Sequence, residues 1–180
     1  MKSKKIKMLS LDTSTTDSGW AVWLDGKYKR SGHYATDKKW PPDKKQMMMS
    51  DFLMGLIDKE KPDIIAVELT SVARNVRTQM RLDRLLGLIE YKAYKKGIFY
   101  SQYNPSTWRK LVKGDTKVPT GRENKKAWGI GRVQAIFGIE CGNDNTADAI
   151  LVGYAYLQDL LQLSKKTGPK RKRGNKKNEK

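Results

Sequence analysis

Four acidic side chains stand at positions that suggest a chemical use. Asp12 and Glu68 each come directly after a short apolar run, and Asp144 and Asp148 are separated by one helical turn. That spacing places the latter two on the same face of a helix. Carboxylates that converge repel one another unless a cation holds them, and oxygen-only ligands select hard divalent ions, above all Mg²⁺. The four acids therefore predict a divalent-metal site.

Each acid also has a purely structural interpretation. Asp12 is a candidate for capping a turn, and Asp144 is a candidate for capping the helix that follows it. A structural task is harder to find for Glu68 at the end of an apolar strand. The same holds for Asp148 in an apolar helix, where an unpaired acid costs stability. The order of the four acids along the chain favours the metal site over four separate structural roles.

The elements that must position these acids follow from the hydrophobic pattern. Five short apolar segments are typical of strands, and longer segments place their apolar residues at helical spacing. Asp25-Gly26 is typical of a two-residue hairpin turn, and Asn104-Pro105 is typical of a helix start. We predict strands at 6–11, 19–24, 28–34, 64–67 and 98–103, and helices at 43–60, 75–96, from about 105, 123–137 and 145–163.

This order of elements predicts an α/β fold. Its mixed five-stranded sheet would consist of an antiparallel hairpin extended by parallel strands, with helices on both faces. Ligand groups gather at the carboxyl ends of parallel strands, so Asp12 and Glu68 are expected side by side. We predict one domain over residues 1–163 and a basic, disordered tail over 164–180.

The charge balance predicts a polyanionic partner. The chain holds 37 basic and 19 acidic residues, a net charge of +18. Such a surface attracts nucleic acid, although a basic surface can also serve solubility alone. Lys125 and Lys126 are candidates for neutralising charge on a phosphate that reacts at the acids. Residues expected to contact a DNA backbone are Arg74, Arg77, Arg81, Lys113, Lys117 and Arg122.

Several other classes of protein are excluded by composition. Cys141 is the one cysteine and His33 the one histidine, so an internal disulfide and a zinc site are both ruled out. We expect His33 to be a surface residue. The N-terminus lacks the pattern of a secretion signal, and no apolar segment approaches the ~20 residues that span a bilayer. These observations predict a cytoplasmic protein without membrane contact.

A set of short motifs occurs in an order that indicates a family. They lie at the ends of the predicted strands and at the starts of the predicted helices, over residues 6–162. In chain order they are Asp12-Thr13-Ser14-Thr15, Gly19-Trp20-Ala21-Val22, Glu68, the segment 74–78, Leu86-Gly87, Asn104-Pro105, Trp108-Arg109 and Ala147-Asp148-Ala149. The ordered set resembles RuvC-type Holliday junction resolvases, which have a ribonuclease H-like fold, and especially the small variants carried by bacteriophages.

The resemblance implies a function and a site. It implies a structure-selective DNA endonuclease of recombination and repair, which cuts four-way junctions by metal-dependent hydrolysis. Asp12, Glu68, Asp144 and Asp148 would hold two Mg²⁺ ions, with Mn²⁺ as an alternative and with Asp12 between the ions. The family forms homodimers, and apolar residues on the outer side of the 75–96 helix are candidates for that contact. A phage-encoded member would act in the host cytoplasm.

The chain departs from the family pattern at three positions. Ser14 stands where a glycine is usual, and Asn145 stands where many members place the third acid, so that role is assigned to Asp144. Ser71 replaces an aromatic residue that bacterial members insert at the junction.

Two other functions remain open from the sequence. A related ribonuclease H-like nuclease would cut forks, flaps or RNA with the same acids, and a non-catalytic protein would only bind DNA junctions. A sugar-kinase or actin-like ATPase is disfavoured because that class needs a second phosphate loop and usually twice the length.

Overall fold

The computed structural model describes residues 4–69 and 75–167, with the backbone alone at Thr167. Within these ranges the chain forms one sheet and five helices. In chain order the elements are β1 (Lys7–Asp12), β2 (Asp17–Leu24), β3 (Lys27–Ala35), α1 (Pro42–Glu60), β4 (Ile64–Glu68), α2 (Val76–Lys95), β5 (Phe99–Tyr103), α3 (Pro105–Val112), α4 (Arg122–Phe137) and α5 (Asp144–Thr167). None of the helices in this part of the chain has the length and apolar character needed to cross a membrane.

The five strands form a mixed sheet in the order β3-β2-β1-β4-β5. β1 pairs with β2, and β2 with β3, in antiparallel fashion, whereas β1, β4 and β5 run parallel. Asp25 and Gly26 both have positive φ, at 51° and 72°. Two successive positive φ angles are the geometry of a type I′ turn, which matches the twist of the strands it joins. The predicted hairpin, the parallel extension and the five strands are confirmed.

The sheet has a hydrophobic core on each face. On one face, α1 and α2 cover the sheet with residues such as Leu53 and Ile89. On the other face, α3, α4 and α5 cover the sheet, and Trp23 of β2 and Trp108 of α3 are both fully buried in this core. α5 is the central helix of this second face, because its residues 147–156 are almost all inaccessible to solvent. The helices predicted to flank both faces therefore do so.

Two glycines allow α5 to approach the sheet closely. A Cβ atom at Gly19 of β2 would overlap the carbonyl group of Asn145 in the first turn of α5. A Cβ atom at Gly153, further along α5, would overlap the Trp23 indole. Any larger residue would push the helix away from the strands. These two glycines therefore determine how close the acids of α5 lie to the acids of the sheet.

Most element ends lie within two residues of the sequence prediction, and the end of α5 differs most. α5 begins at Asp144 and runs to Thr167, four residues beyond the predicted end at Leu163. Nothing before Gly168-Pro169 breaks a helix, and Lys165 and Lys166 interact favourably with the negative end of the helix dipole. The predicted disordered tail otherwise falls on residues 168–180, which lie outside the described residues.

Candidate active site

The four acids singled out from the sequence line a single pocket at the carboxyl edge of the sheet. The pocket has a volume of about 500 Å³. Three elements of the fold bring them there, since Asp12 ends β1, Glu68 ends β4, and Asp144 and Asp148 lie in α5. The remaining lining residues are Pro105, Arg109, Gly121, Arg122, Lys125, Lys126 and Asn145.

Asp12 and Glu68 are neighbours because their strands are parallel and adjacent. Leu11 pairs with Val67 in the register of β1 and β4, so the next residue on each strand reaches the same edge. Burial raises the pKa of Asp12 well above its usual value, and the charges of Glu68, Asp148 and Asp144 raise it further. Asp12 thus lies within electrostatic reach of the other three acids. This is the position that a central metal ligand requires.

Glu68 is also held in an environment that disfavours its charge. Burial and the charge of Asp148 raise the pKa of Glu68 to about 7, although Arg109 and Trp108 act in the opposite direction. The Trp108 indole donates a hydrogen bond from Nε1 to Glu68 Oε2 at 2.8 Å. This bond fixes the orientation of the carboxylate, because the indole itself is fully buried.

Asp144 does not cap the N-terminus of α5, although the sequence made it a candidate for that role. The side chain of Asn143 performs it, since Asn143 Oδ1 accepts a hydrogen bond from the Thr146 backbone N–H at 2.9 Å. Burial raises the pKa of Asp148 to about 6, opposed by Arg109 and Lys126. A Cβ atom at Gly129 of α4 would lie 2.9 Å from Asp148 Oδ1, so glycine leaves room for this carboxylate.

Basic side chains balance the acids within the pocket. Arg109 pairs with Asp148 at 3.0 Å, and Lys126 pairs with Asp144 at 3.0 Å. The Arg109 guanidinium lies over the Trp108 ring, 4.2 Å from its centroid. Its Nε is buried and has no hydrogen-bond partner among the described residues. Arg109 therefore combines a fixed position with a spare donor beside the carboxylates.

Sequence reasoning did not assign Arg109 and Trp108 to the site. Both lie on α3, and the helix starts at Pro105 after Asn104, as predicted. A signal was present, because Trp108 and Val112 are spaced as a buried helical pair and Arg109 follows directly. What could not be seen was that the buried face of α3 turns toward Glu68.

The other predicted contact residues occupy different places. Arg122, Lys125 and Lys126 line the acidic pocket, as the sequence suggested for the two lysines. Lys113 and Lys117 line a larger adjoining groove of about 860 Å³, here called the α3 groove, together with Pro105, Ser106, Arg109, Lys110 and Lys125.

Arg77 and Arg81 lie away from both cavities, on α2. Arg81 pairs there with Asp43 of α1 at 3.1 Å. Arg74 and Ser71 lie outside the described residues. His33 is on β3 and its Nδ1 lies 2.9 Å from Asp17 Oδ1, at the partly exposed surface that was expected for it.

The donor set fits a hard divalent cation by its chemistry. Four carboxylates supply only oxygen, and burial together with repulsion between the acids raises the pKa of Asp12, Glu68 and Asp148, so a bound cation would favour their charged forms. Across the described ranges, no three acidic, histidine or cysteine side chains lie close enough together to form a preformed metal-coordination site. Arg109 and Lys126 form ion pairs with Asp148 and Asp144, so two of the four acids are engaged by basic side chains.

Comparison with known proteins identifies the family of this chain. The family model described as crossover junction endodeoxyribonuclease RuvC matches residues 11–153, a range that includes all four acids. A relative in Protochlamydia amoebophila with that same description is 26% identical over 168 residues, covering 87% of this chain and 93% of the relative.

Two solved structures share the fold. RuvC of T. thermophilus, in complex with a Holliday junction substrate, has a TM-score of 0.67 at 14% identity, covering 87% of this chain and 96% of that one. Fowlpox virus resolvase, in complex with its substrate Holliday junction DNA, has a TM-score of 0.59 at 13% identity, covering 87% and 99%. The predicted ribonuclease H-like fold is confirmed, and this chain belongs to the RuvC family of crossover junction endodeoxyribonucleases.

Proposed function

We propose that this chain cuts four-way DNA junctions by hydrolysing phosphodiester bonds with the help of bound divalent cations. The observation that carries the proposal is the convergence of Asp12, Glu68, Asp144 and Asp148 in one pocket that basic side chains surround. Membership of the RuvC family supplies the expected substrate. The fold supports it, because the acids come from β1, β4 and α5 and meet at the edge where α/β proteins bind ligands.

Asp12, Glu68, Asp144 and Asp148 would hold two Mg²⁺ ions, with Asp12 shared between them. Bound ions of this kind activate water for attack and stabilise the leaving oxygen of a phosphodiester. Asp12 is suited to the shared place because the other three acids all raise its pKa. Glu68 is presented in one orientation by the Trp108 indole. No histidine base is needed in such a site.

The basic residues of the pocket have a separate task. Arg109, Lys125 and Lys126 would offset the charge that builds on the phosphate during the reaction. Arg109 and Lys126 are held beside the acids by their ion pairs with Asp148 and Asp144, so both would lie near a phosphate that binds there. Lys113 and Lys117 would bind the strand backbone in the α3 groove.

Symmetric cuts across a junction need two active sites, and α2 offers a surface for pairing two chains. Tyr91 and Tyr94 are 62% and 78% exposed, and Leu88 is 43% exposed on the same helix. Apolar side chains this exposed are typical of an interface, and a homodimer with twofold symmetry is the commonest arrangement. We propose that α2 packs against α2 of a second copy, and that the protein acts in the cytoplasm where its DNA substrate lies.

The test is a cleavage assay on labelled substrates of matched sequence. An immobile four-way junction, a fork, a flap, a linear duplex and an RNA hybrid are each incubated with the protein and Mg²⁺. We expect paired nicks in the junction and little cutting of the others. Stronger cutting of forks, flaps or RNA would assign the site to a related nuclease. Tight junction binding without any nick would leave a non-catalytic binding protein.

A further inference from the structure

A second basic surface lies beside the active-site edge, on the opposite side from the α3 groove. We call it the Trp40 surface. It comprises the segment after β3 and the first turn of α1, with the side chains of Lys38, Lys39, Trp40, Lys44 and Lys45. None of the residues that line the acidic pocket or the α3 groove belongs to it. Its chemistry is therefore not explained by the site described above.

The Trp40 surface is anchored next to Asp12. Thr36, directly after β3, donates hydrogen bonds to the Thr16 carbonyl from its backbone N–H at 2.8 Å and from its hydroxyl at 3.2 Å. Thr16 belongs to the turn that joins Asp12 at the end of β1 to the start of β2. The segment that carries the lysines is thus fixed to the turn that follows the central acid.

The lysines of this surface are presented outward. Lys38, Lys39 and Lys44 are exposed, and within the described ranges none of the three pairs with a carboxylate. Lys44 Nζ lies over the Trp40 ring, 4.5 Å from its centroid, which holds the ammonium group in place. Lys45 Nζ donates to the Lys38 carbonyl at 2.9 Å and so braces the segment.

The acids nearby are already engaged. Asp37 accepts a hydrogen bond from the Lys39 backbone N–H at 2.8 Å, in the turn that begins the segment. Asp43 pairs with Arg81 of α2 at 3.1 Å, which joins the first turn of α1 to the second turn of α2. Arg77 is exposed one turn before Arg81 and extends the positive charge along α2. The surface therefore presents a net positive field with an aromatic ring in its centre.

A polyanion is the partner that fits this chemistry, and the adjacent pocket is the proposed site of DNA cleavage. A four-way junction has four arms that leave its centre in different directions, and the two α3 grooves of the proposed homodimer would hold two of them, which leaves two further arms to be bound. We infer that the Trp40 surface binds the phosphate backbone of a second junction arm, an inference that rests on the proposed function. Lys38, Lys39 and Lys44 would contact phosphates, with Trp40 orienting the third.

The test measures how junction binding depends on salt. The triple variant Lys38→Gln, Lys39→Gln, Lys44→Gln is compared with wild type by fluorescence anisotropy, in chelator so that the DNA is not cut. The matched control neutralises Lys27, Lys29 and Lys59, which are also exposed. Lys27 and Lys29 lie at the start of β3, and Lys59 lies at the end of α1, so all three are at the ends of these elements that are remote from the Trp40 surface. Thermal unfolding of each variant checks that the fold is kept.

We expect the slope of log K against log salt in the test triple to become shallower by about 2 to 3 for each chain that contacts the junction, and so by about 5 for the proposed homodimer, since each lost phosphate contact removes about 0.9. The control should keep the wild-type slope. On a linear duplex the test triple should change less, because a single duplex needs only one of the two basic surfaces. Trp40→Leu should weaken junction binding, and Trp40→Phe, which keeps a ring under Lys44, should restore it.

An unchanged slope in the test triple, or an equal loss in the control, would overturn the inference. These outcomes are distinct from failure of the proposed function. A wild type that does not nick the junction in Mg²⁺ contradicts the proposed function. A wild type that nicks normally, beside a test triple that binds normally, contradicts the Trp40 surface alone.

Discussion

Replacing Glu68 by glutamine should stabilise the protein when divalent cations are removed. Burial and the neighbouring Asp148 raise the pKa of Glu68 from its usual 4.5 to about 7. Each pKa unit corresponds to about 1.4 kcal/mol, so the ionised form carries a cost of about 3 kcal/mol in the folded state at high pH. One edge of Glu68 faces solvent in the pocket, which lowers the expected effect to about 2 kcal/mol.

The pH dependence has a defined sign. Below pH 4.5 Glu68 is protonated in both the folded and the unfolded chain, so it costs nothing there. The cost grows as the pH rises toward 7, because the unfolded chain releases the proton first, and it is complete above that pH. Glu68→Gln keeps an oxygen that can accept the Trp108 hydrogen bond, so the variant removes the charge and little else.

The assay is urea unfolding in chelator at pH 5 and at pH 8, with wild type and Glu68→Gln. We expect a gain of about 2 kcal/mol in the free energy of unfolding at pH 8 and a much smaller gain at pH 5. Glu90→Gln, at an exposed position of α2, is the control and should show neither. Added Mg²⁺ should stabilise wild type more than the variant. A variant that is destabilised at pH 8, or equally stabilised at both pH values, would refute the reasoning.

Other substitutions probe the supports of the site and the dimer. Trp108→Phe removes the indole N–H that orients Glu68, so we expect cleavage to need a higher Mg²⁺ concentration, as titration of the nicking rate will show. Because Trp108 is fully buried, the smaller ring also leaves a cavity, and the melting temperature should fall by several degrees. Gly19→Ala forces the start of α5 off the sheet and should cost several kcal/mol and all activity. Its control, Gly55→Ala, has open space on α1 and should gain about 0.5–1 kcal/mol in urea unfolding. Tyr94→Glu places a charge on the outer face of α2 and should shift the protein to monomers in analytical ultracentrifugation, and an unchanged mass would contradict the α2 interface.

Much of the fold is determined by local pattern, and those parts were predictable. The apolar runs before Asp12 and Glu68 became adjacent parallel strands, so the two acids lie at one edge as the alternation of elements requires. The hairpin followed from Asp25-Gly26, whose positive φ angles only a few residue types adopt readily. Element ends were predicted to within a residue or two at most places, and the end of α5 was the main exception.

The parts that sequence could not supply depend on contacts between distant elements. Trp108 and Arg109 were visible as residues of a short helix, but their contacts with Glu68 and Asp148 arise only when α3 packs on α5. The sequence analysis named Asp144 as the candidate cap of α5, whereas Asn143 is the cap in the structure, and residue type alone does not separate the two because Asn and Asp cap helices equally well. Surface arginines such as Arg81 could not be assigned from charge alone, since their partners lie on other helices.

The most direct test of the central claim is metal binding and nicking by Asp12→Asn beside wild type. The substitution keeps the shape of the side chain and removes the one carboxylate whose pKa all three other acids of the pocket raise. We expect the variant to bind the four-way junction as tightly as wild type, to lose most of the Mn²⁺ binding measured by titration calorimetry, and to leave the labelled junction uncut. Normal nicking with unchanged metal affinity would contradict the claim that these four acids share bound cations.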